Sequence, residues 1–259
     1  SAVVEVVKKL PAEERPARVF ALDSDLEGSC GMQKIREGVP EIYRNSGVME
    51  RGNFSACAGF GFKENCQAIF STFAAFQEMI ISEVTMARLN KCNVICHFSH
   101  SGVDGMSDNM CHFGQNNFYA DAGLEDEDGP PTKLYFPADG NQMQKVVEAI
   151  FWNRGLRFIY STRSAVPEIL SPKDQKPFFG DGYEFQLNKD DIIFDSGIGF
   201  IVTYGDALYR CVDAVTRLRQ EGIEVGLIAK CQVNVIDEEA MKLAGESKFV
   251  LCRVSEHKD

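Results

Sequence analysis

The run Gln67-Ala68-Ile69-Phe70-Ser71, continuing as Thr72-Phe73-Ala74-Ala75-Phe76, decides the fold. Its short apolar core predicts a strand over Gln67 to Ser71, and the residues beyond pass into a helical pattern at Phe76 to Leu89. The same alternation repeats outward in both directions. Strands are predicted at Val19 to Leu22, Val94 to Phe98, Leu134 to Phe136 and Phe158 to Ser161, with helical patterns between them at Met32 to Val39, Ser55 to Phe62 and Gly140 to Asn153. Strands that alternate with amphipathic helices belong to an α/β architecture, a mostly parallel sheet flanked by helices. The Ser55 to Phe62 stretch is rich in small residues, which favours close helix packing.

Between Ser171 and Gly182 the text changes to Pro172, Lys173, Asp174, Lys176, Pro177 and Gly180, a turn-rich linker. Gly180-Asp181-Gly182 within it reads as a turn, since it lacks the strand–turn–helix context of a metal motif. A second α/β unit follows: strand Phe200 to Thr203, helix Ala207 to Gln220, strand Glu224 to Ile228, helix Glu238 to Gly245 and strand Phe249 to Val254. It holds only about 75 residues, short for an independent doubly wound domain. The expected organisation is a full domain at 1–171, a linker at 172–182 and a shortened second α/β domain at 183–259.

Of 259 residues, 44% are hydrophobic and 25% charged, the proportions of a folded protein that buries its core without disulfides. The net charge of -11 argues against nucleic acid or an anionic membrane as partner, so an anionic ligand needs a local basic pocket. No apolar stretch approaches the ~20 residues of a membrane span, and Ser1 to Pro16 is a charged helical pattern without a signal-peptide core, so a cytoplasmic location is expected. Nine scattered cysteines, an odd number, read as free and mostly buried thiols. Cys92, Cys96, His97 and His100 come nearest to a zinc set, but they share one strand-like run without the paired spacing of zinc ligands, and no metal site is expected. The acidic run Glu125 to Asp128, ahead of Gly129-Pro130-Pro131, reads as a solvated loop.

Four places stand out for chemistry: Asp25-Leu26-Glu27-Gly28-Ser29, Glu50, Thr72 to Phe76, and the loop from His100 to His112. All but Glu50 follow the carboxyl end of a predicted strand, the edge at which open parallel sheets bind ligands, and Glu50 opens a helix. Singly, each has a plain structural reading: Asp25 as a helix cap, Glu50 as an N-terminal helix charge, the phenylalanines as core and His112 as a loop residue.

In joint order and spacing, these segments resemble transketolases in the region of their pyrimidine-binding domain. The matching text is Asp23-Ser24-Asp25-Leu26-Glu27-Gly28-Ser29, then Gly47-Val48-Met49-Glu50-Arg51-Gly52 ahead of the small-residue helix, then Ser71-Thr72-Phe73-Ala74-Ala75-Phe76. Ser99-His100-Ser101-Gly102-Val103 through to His112, Phe136-Pro137-Ala138-Asp139 and Thr162-Arg163-Ser164-Ala165-Val166-Pro167 complete it. Beyond the linker, Gly222 to Val225, Ile236-Asp237-Glu238-Glu239-Ala240 and Val254-Ser255-Glu256-His257 are similar to the first part of the transketolase carboxy-terminal domain.

The resemblance implies a thiamine diphosphate enzyme that transfers a two-carbon ketol unit between sugar phosphates. It makes Glu50 the acid beside N1′ of the aminopyrimidine, a task suited to a carboxyl in a low-dielectric pocket. Phe76 is implied to stack on that ring, Phe73 and Met79 to line its pocket, and Asp25 and Leu26 to lie near the thiazolium. Ser29, His100 and Arg163 match phosphate-contacting positions, Arg163 offering a planar donor fork. His112 matches the residue at the donor's hydroxyl and carbonyl region, and Asp108 one that reads a neighbouring hydroxyl. Where transketolases carry Gly-Glu-Asp-Gly-Pro-Thr-His, this chain reads Met106-Ser107-Asp108-Asn109-Met110-Cys111-His112, without the turn-forming glycine and proline.

In that family an amino-terminal domain holds the diphosphate and its Mg or Ca ion. The resemblance therefore implies that a partner subunit or a missing segment supplies this half, and that the chain is inactive alone. A homodimer, or a pairing with that subunit, is expected. Dihydroxyacetone synthases and deoxyxylulose phosphate synthases stay open as alternatives, as does a non-catalytic binding or regulatory module. His100 with Arg163 favours a sugar phosphate over a 2-oxo acid.

Overall fold

The computed structural model describes residues 1–102, 112, 114 and 131–252. The described residues pack as two units, one built from Ser1–Leu134 with Val147–Arg163 and the other from Tyr135–Val146 with residues 164–252. In the first sheet, β1 (Val19–Asp23), β2 (Tyr43–Asn45), β3 (Gln67–Phe73), β4 (Val94–Ser99), β5 (Thr132–Tyr135) and β6 (Leu156–Tyr160) lie in the order β2-β1-β3-β4-β6-β5. β1 pairs in parallel with β2 and β3, and β4 with β3 and β6. Every residue of β3 is buried, as befits a strand covered on both faces, and this is why its sequence is a continuous apolar run rather than an alternation.

Around this sheet lie α1 (Ala2–Lys8), α2 (Arg15–Arg18), α3 (Glu27–Cys30), α4 (Gln33–Gly38), α5 (Glu50–Phe62) and α6 (Ile81–Leu89), while α7 (Gly140–Ile150) begins in the second unit and ends in the first. The small residues of α5 do bring it close. A Cβ on Gly61 would run into the Asn93 backbone, and the Asn93 amide donates to the Gly61 carbonyl at 2.8 Å. The helix expected from Phe76 begins instead as a 3-10 segment, Ala74–Ile80, and becomes α-helical only at Ile81. Its buried residues, Ala74, Gln77 and Ile80, recur every third position, the period at which a 3-10 helix stacks side chains on one side. The Tyr160 hydroxyl ties Gln77 down, donating to Oε1 at 2.8 Å.

Arg157, on β6, is fully buried. Its guanidinium donates to the carbonyls of Ile150, Phe151 and Gly155 and to Gln67 Oε1, so the last turn of α7 finds partners for carbonyls that the helix leaves open.

In the second unit β7 (Asp191–Phe194), β8 (Phe200–Tyr204), β9 (Gly226–Lys230) and β10 (Val250–Cys252) form a sheet ordered β10-β8-β9-β7. β8 is parallel to β9 and β10, and β7 runs antiparallel to β9. Helix α8 (Ala207–Gln220) packs Leu208, Cys211 and Val215 with Ile201 and Leu227, while α9 (Glu238–Gly245) packs Ala240 and Ala244 with Phe200, Val202 and Ile228. Alternate residues of β8 thus serve opposite helix layers. Asp237 caps α9 by accepting from the amides of Glu239 and Ala240.

Among the described residues the cysteines are free, all buried except Cys252, no group of three histidine, cysteine or acidic side chains is placed to hold a metal, and no helix is long and apolar enough to cross a membrane. Gly180 and Gly182 lie in a turn, where the Tyr183 amide donates to the Gly180 carbonyl at 3.1 Å.

Candidate active site

Because β1, β2, β3, β4 and β6 all run in parallel, the residues that follow them collect at one edge of the sheet. Asp25 to Ser29 follow β1, Phe73 ends β3 and Phe76 follows it, His100 follows β4 and Arg163 follows β6. Glu50 also comes after a strand, β2, which the sequence did not reveal.

Rings form the centre of this edge. Phe73 lies 4.2 Å from His100, 4.9 Å from His112 and 5.7 Å from Phe76, centroid to centroid, and His100 and His112 are 6.3 Å apart. At the same edge Gly114 pairs with Ser101 and lies so close to the Ala74 backbone that a Cβ there would collide. Asp25 and His100 each have positive φ, 65° and 60°. Such backbone is sparsely populated by residues other than glycine and collects at functional sites.

Glu50 comes to the same edge by way of helix packing. The buried residues of α5 are Glu50, Asn53, Phe54, Cys57 and Gly61, one stripe at helical spacing. The stripe that sets Phe54 edge-on to Phe70 also turns Glu50 inward, leaving it 3% exposed. Asn53, missed in the sequence, fixes this first turn. Its amide donates to Ser24 Oγ at 2.9 Å and to the Gly47 carbonyl at 3.0 Å, and the Ser46 hydroxyl donates to its Oδ1.

Beneath the rings is a polar layer that sequence reasoning also missed. Ser99 Oγ lies 3.0 Å from His100 Nδ1 and 3.3 Å from Cys30 Sγ. His97 Nδ1 meets the Cys30 carbonyl at 3.2 Å and Ser71 Oγ at 3.1 Å, and Nε2 meets Ser161 Oγ at 2.9 Å. Desolvation lowers His97 to about 4, so the ring is neutral, and burial pushes the Cys30 thiol up. Burial likewise raises Asp23 at the end of β1, although the Leu26 amide donates to its Oδ2 at 3.0 Å.

Other candidates on this edge are less buried than Phe73 and His100. Asp25 and Ser29 are exposed and Leu26 is half-buried. Asn45 Nδ2 donates to Asp25 Oδ1 at 3.1 Å. Arg163 is exposed, as is Met79 on the 3-10 segment. Asp108 lies outside the described residues.

Flat apolar rings, a buried carboxyl and His112 Nδ1, a buried atom with no hydrogen-bond partner among the described residues, fit an aminopyrimidine, which is flat and carries polar nitrogens at its rim. The residues present therefore suit the pyrimidine half of thiamine diphosphate.

No family model matches the chain. It is 22% identical over 243 residues to the transketolase of Rattus norvegicus, which takes in 93% of this chain and 37% of that one. Over 128 residues it is 25% identical to an apulose-4-phosphate transketolase subunit of Phocaeicola vulgatus, covering 49% of this chain and 38% of that protein. The structure of a split-gene transketolase, an inactive β4 tetramer, matches it with a TM-score of 0.78 at 23% identity, over 99% of this chain and 77% of that chain, a likeness in fold. The chain thus spans little more than a third of the length of the rat relative.

Proposed function

Starting from a chain related to transketolases over 93% of its length, we propose that it is a transketolase-type component acting on sugar phosphates, with a partner subunit or further segment holding the diphosphate and its metal ion. In this reading residues 1–171 are the pyrimidine-binding domain, 172–182 the linker and 183–259 part of a carboxy-terminal-type domain. The observation that carries it is the shared sheet edge, where buried Glu50 and the rings of Phe73, Phe76, His100 and His112 follow parallel strands. The names of two relatives, one a transketolase subunit and the other a split-gene protein, support the divided assembly.

When bound, thiamine diphosphate supplies a nucleophilic carbon for carbon–carbon cleavage. Glu50 holds a proton at the aminopyrimidine N1′ in surroundings from which water is largely excluded. Phe76 and Phe73 would hold the flat ring, Met79 would line its pocket, and Asp25 and Leu26 would contribute to the thiazolium's surroundings. His100, Arg163 and Ser29 bind the sugar's phosphate, the local cationic site that a chain of net charge -11 needs for an anion. His112 donates to the reacting end of the sugar.

The test mixes the full chain with a partner subunit carrying a Gly-Asp-Gly diphosphate motif and assays cofactor-dependent ketol transfer between sugar phosphates. Calorimetry follows thiamine diphosphate binding to the chain alone. Weak solitary binding, with transfer only in the mixture and lost in Glu50→Gln, is expected. Tight solitary binding would overturn the divided site, and transfer indifferent to Glu50→Gln would overturn its role.

A further inference from the structure

Cys30 meets two histidines through two different groups. Its carbonyl oxygen lies 3.2 Å from His97 Nδ1, and its thiol lies 3.3 Å from the Ser99 hydroxyl, which is itself 3.0 Å from His100 Nδ1. A carbonyl only accepts, so His97 carries its proton on Nδ1 and its Nε2 accepts from the Ser161 hydroxyl at 2.9 Å. His97 is fixed as the Nδ1–H tautomer.

The chain of bonds to His100 runs the other way. A thiol sulfur is a weak acceptor, and burial keeps Cys30 protonated, so its S–H turns toward the Ser99 oxygen. The hydroxyl's own proton is then directed at His100 Nδ1. We propose that Cys30 and Ser99 are positioning residues for His100, holding it as the Nε2–H tautomer so that this nitrogen donates to an anionic ligand. The ring is held in place beside Ser99: it is 4% exposed, packs 4.2 Å from Phe73, and sits on backbone of positive φ. A phosphate monoester, whose ionised oxygens only accept, is the ligand class such a donor suits. That last step rests on the proposed function, whereas the tautomer does not.

The chain has four histidines, so 15N-histidine NMR of the whole protein at about pH 8, where an ordinary imidazole is neutral, separates their tautomers. His97→Gln and His100→Gln assign the signals. His97 is expected as Nδ1–H and His100 as Nε2–H. Ser99→Ala should shift His100 toward the other tautomer or a mixture while the His97 signal, a control for folding, keeps its form. Cys30→Ala should move His100 in the same direction, and Ser99→Thr should restore it. An Nδ1-protonated His100 in the unaltered chain, or one indifferent to Ser99→Ala, overturns the proposal. Inorganic phosphate and ribose 5-phosphate are then titrated against the His100 signal. Several-fold weaker binding in Ser99→Ala, recovered in Ser99→Thr, supports the phosphate donor role. A tautomer under Ser99 control with no response to either phosphate overturns the phosphate ligand and retains the positioning role.

Discussion

The Phe73 ring stands 4.2 Å from the His100 imidazole, tilted by 49°, and is the common neighbour of Phe76 and His112. One side chain therefore spaces the others. Phe73→Leu keeps most of the volume and removes the ring, so the expected stability loss is modest, about 1–2 kcal/mol. Thiamine diphosphate affinity in the assembled enzyme is expected to fall about tenfold, from the loss of aromatic contact and of ring spacing. Urea unfolding and calorimetry on the same sample separate the two effects.

Glu50 and Asn53 share the first turn of α5 but do different work. Glu50→Gln is nearly isosteric and should leave stability within about 1 kcal/mol while lowering ketol transfer by ~100-fold or more. Asn53→Ala removes the bonds to Ser24 and Gly47, and its expected cost is about 2 kcal/mol with a smaller loss of activity. Thermal melts paired with the transfer assay distinguish a chemical defect from a misplaced helix.

Arg157 donates to four acceptors, the carbonyls of Ile150, Phe151 and Gly155 and Gln67 Oε1. Arg157→Leu leaves buried carbonyls unpaired, and urea denaturation should show a loss of about 3 kcal/mol or more. Because the residue lies at the opposite end of β6 from Arg163, the 15N tautomer of His100 should be unchanged in the folded fraction.

The sheet was legible in the sequence where strands are covered on both faces. β3 is an apolar run bounded by a change of period, and α8 and α9 match their expected ranges, Ala207 to Gln220 and Glu238 to Gly245. β2 escaped because its three residues include exposed Arg44 and Asn45, too short and polar to carry a period. β7 escaped because it opens on Asp191, a carboxylate that shortens its apolar run to three residues. Phe73, Phe76, His100 and His112 could be named from their motifs. Cys30, Asn53, Ser71, His97, Ser99 and Ser161 could not, since they come from separate elements and become neighbours only through the parallel order β1-β3-β4-β6.

Asp191, in the second unit, makes stability fall as pH rises toward neutrality. Its Oδ2 accepts from Gln142 Nε2 at 2.9 Å and the Tyr183 hydroxyl at 3.0 Å, yet burial, aided by the neighbouring Asp190, pushes the carboxyl up to about 7. Asp190 is itself paired with Lys230 at 2.8 Å. An unfolded aspartate titrates near ~3.9, so the folded chain holds this proton more tightly. The contribution is complete below about pH 4 and is lost as pH rises through about 7. Between those limits, stability is expected to fall with rising pH by up to about 1.4 kcal/mol per unit, less to the extent that solvent reaches the carboxyl. Asp191→Asn keeps the hydrogen-bonding shape and has no proton to lose. The difference in unfolding free energy between the two proteins, followed by denaturant titration across that range, should change with pH in this direction; a difference that stays flat would exclude a buried, proton-retaining Asp191.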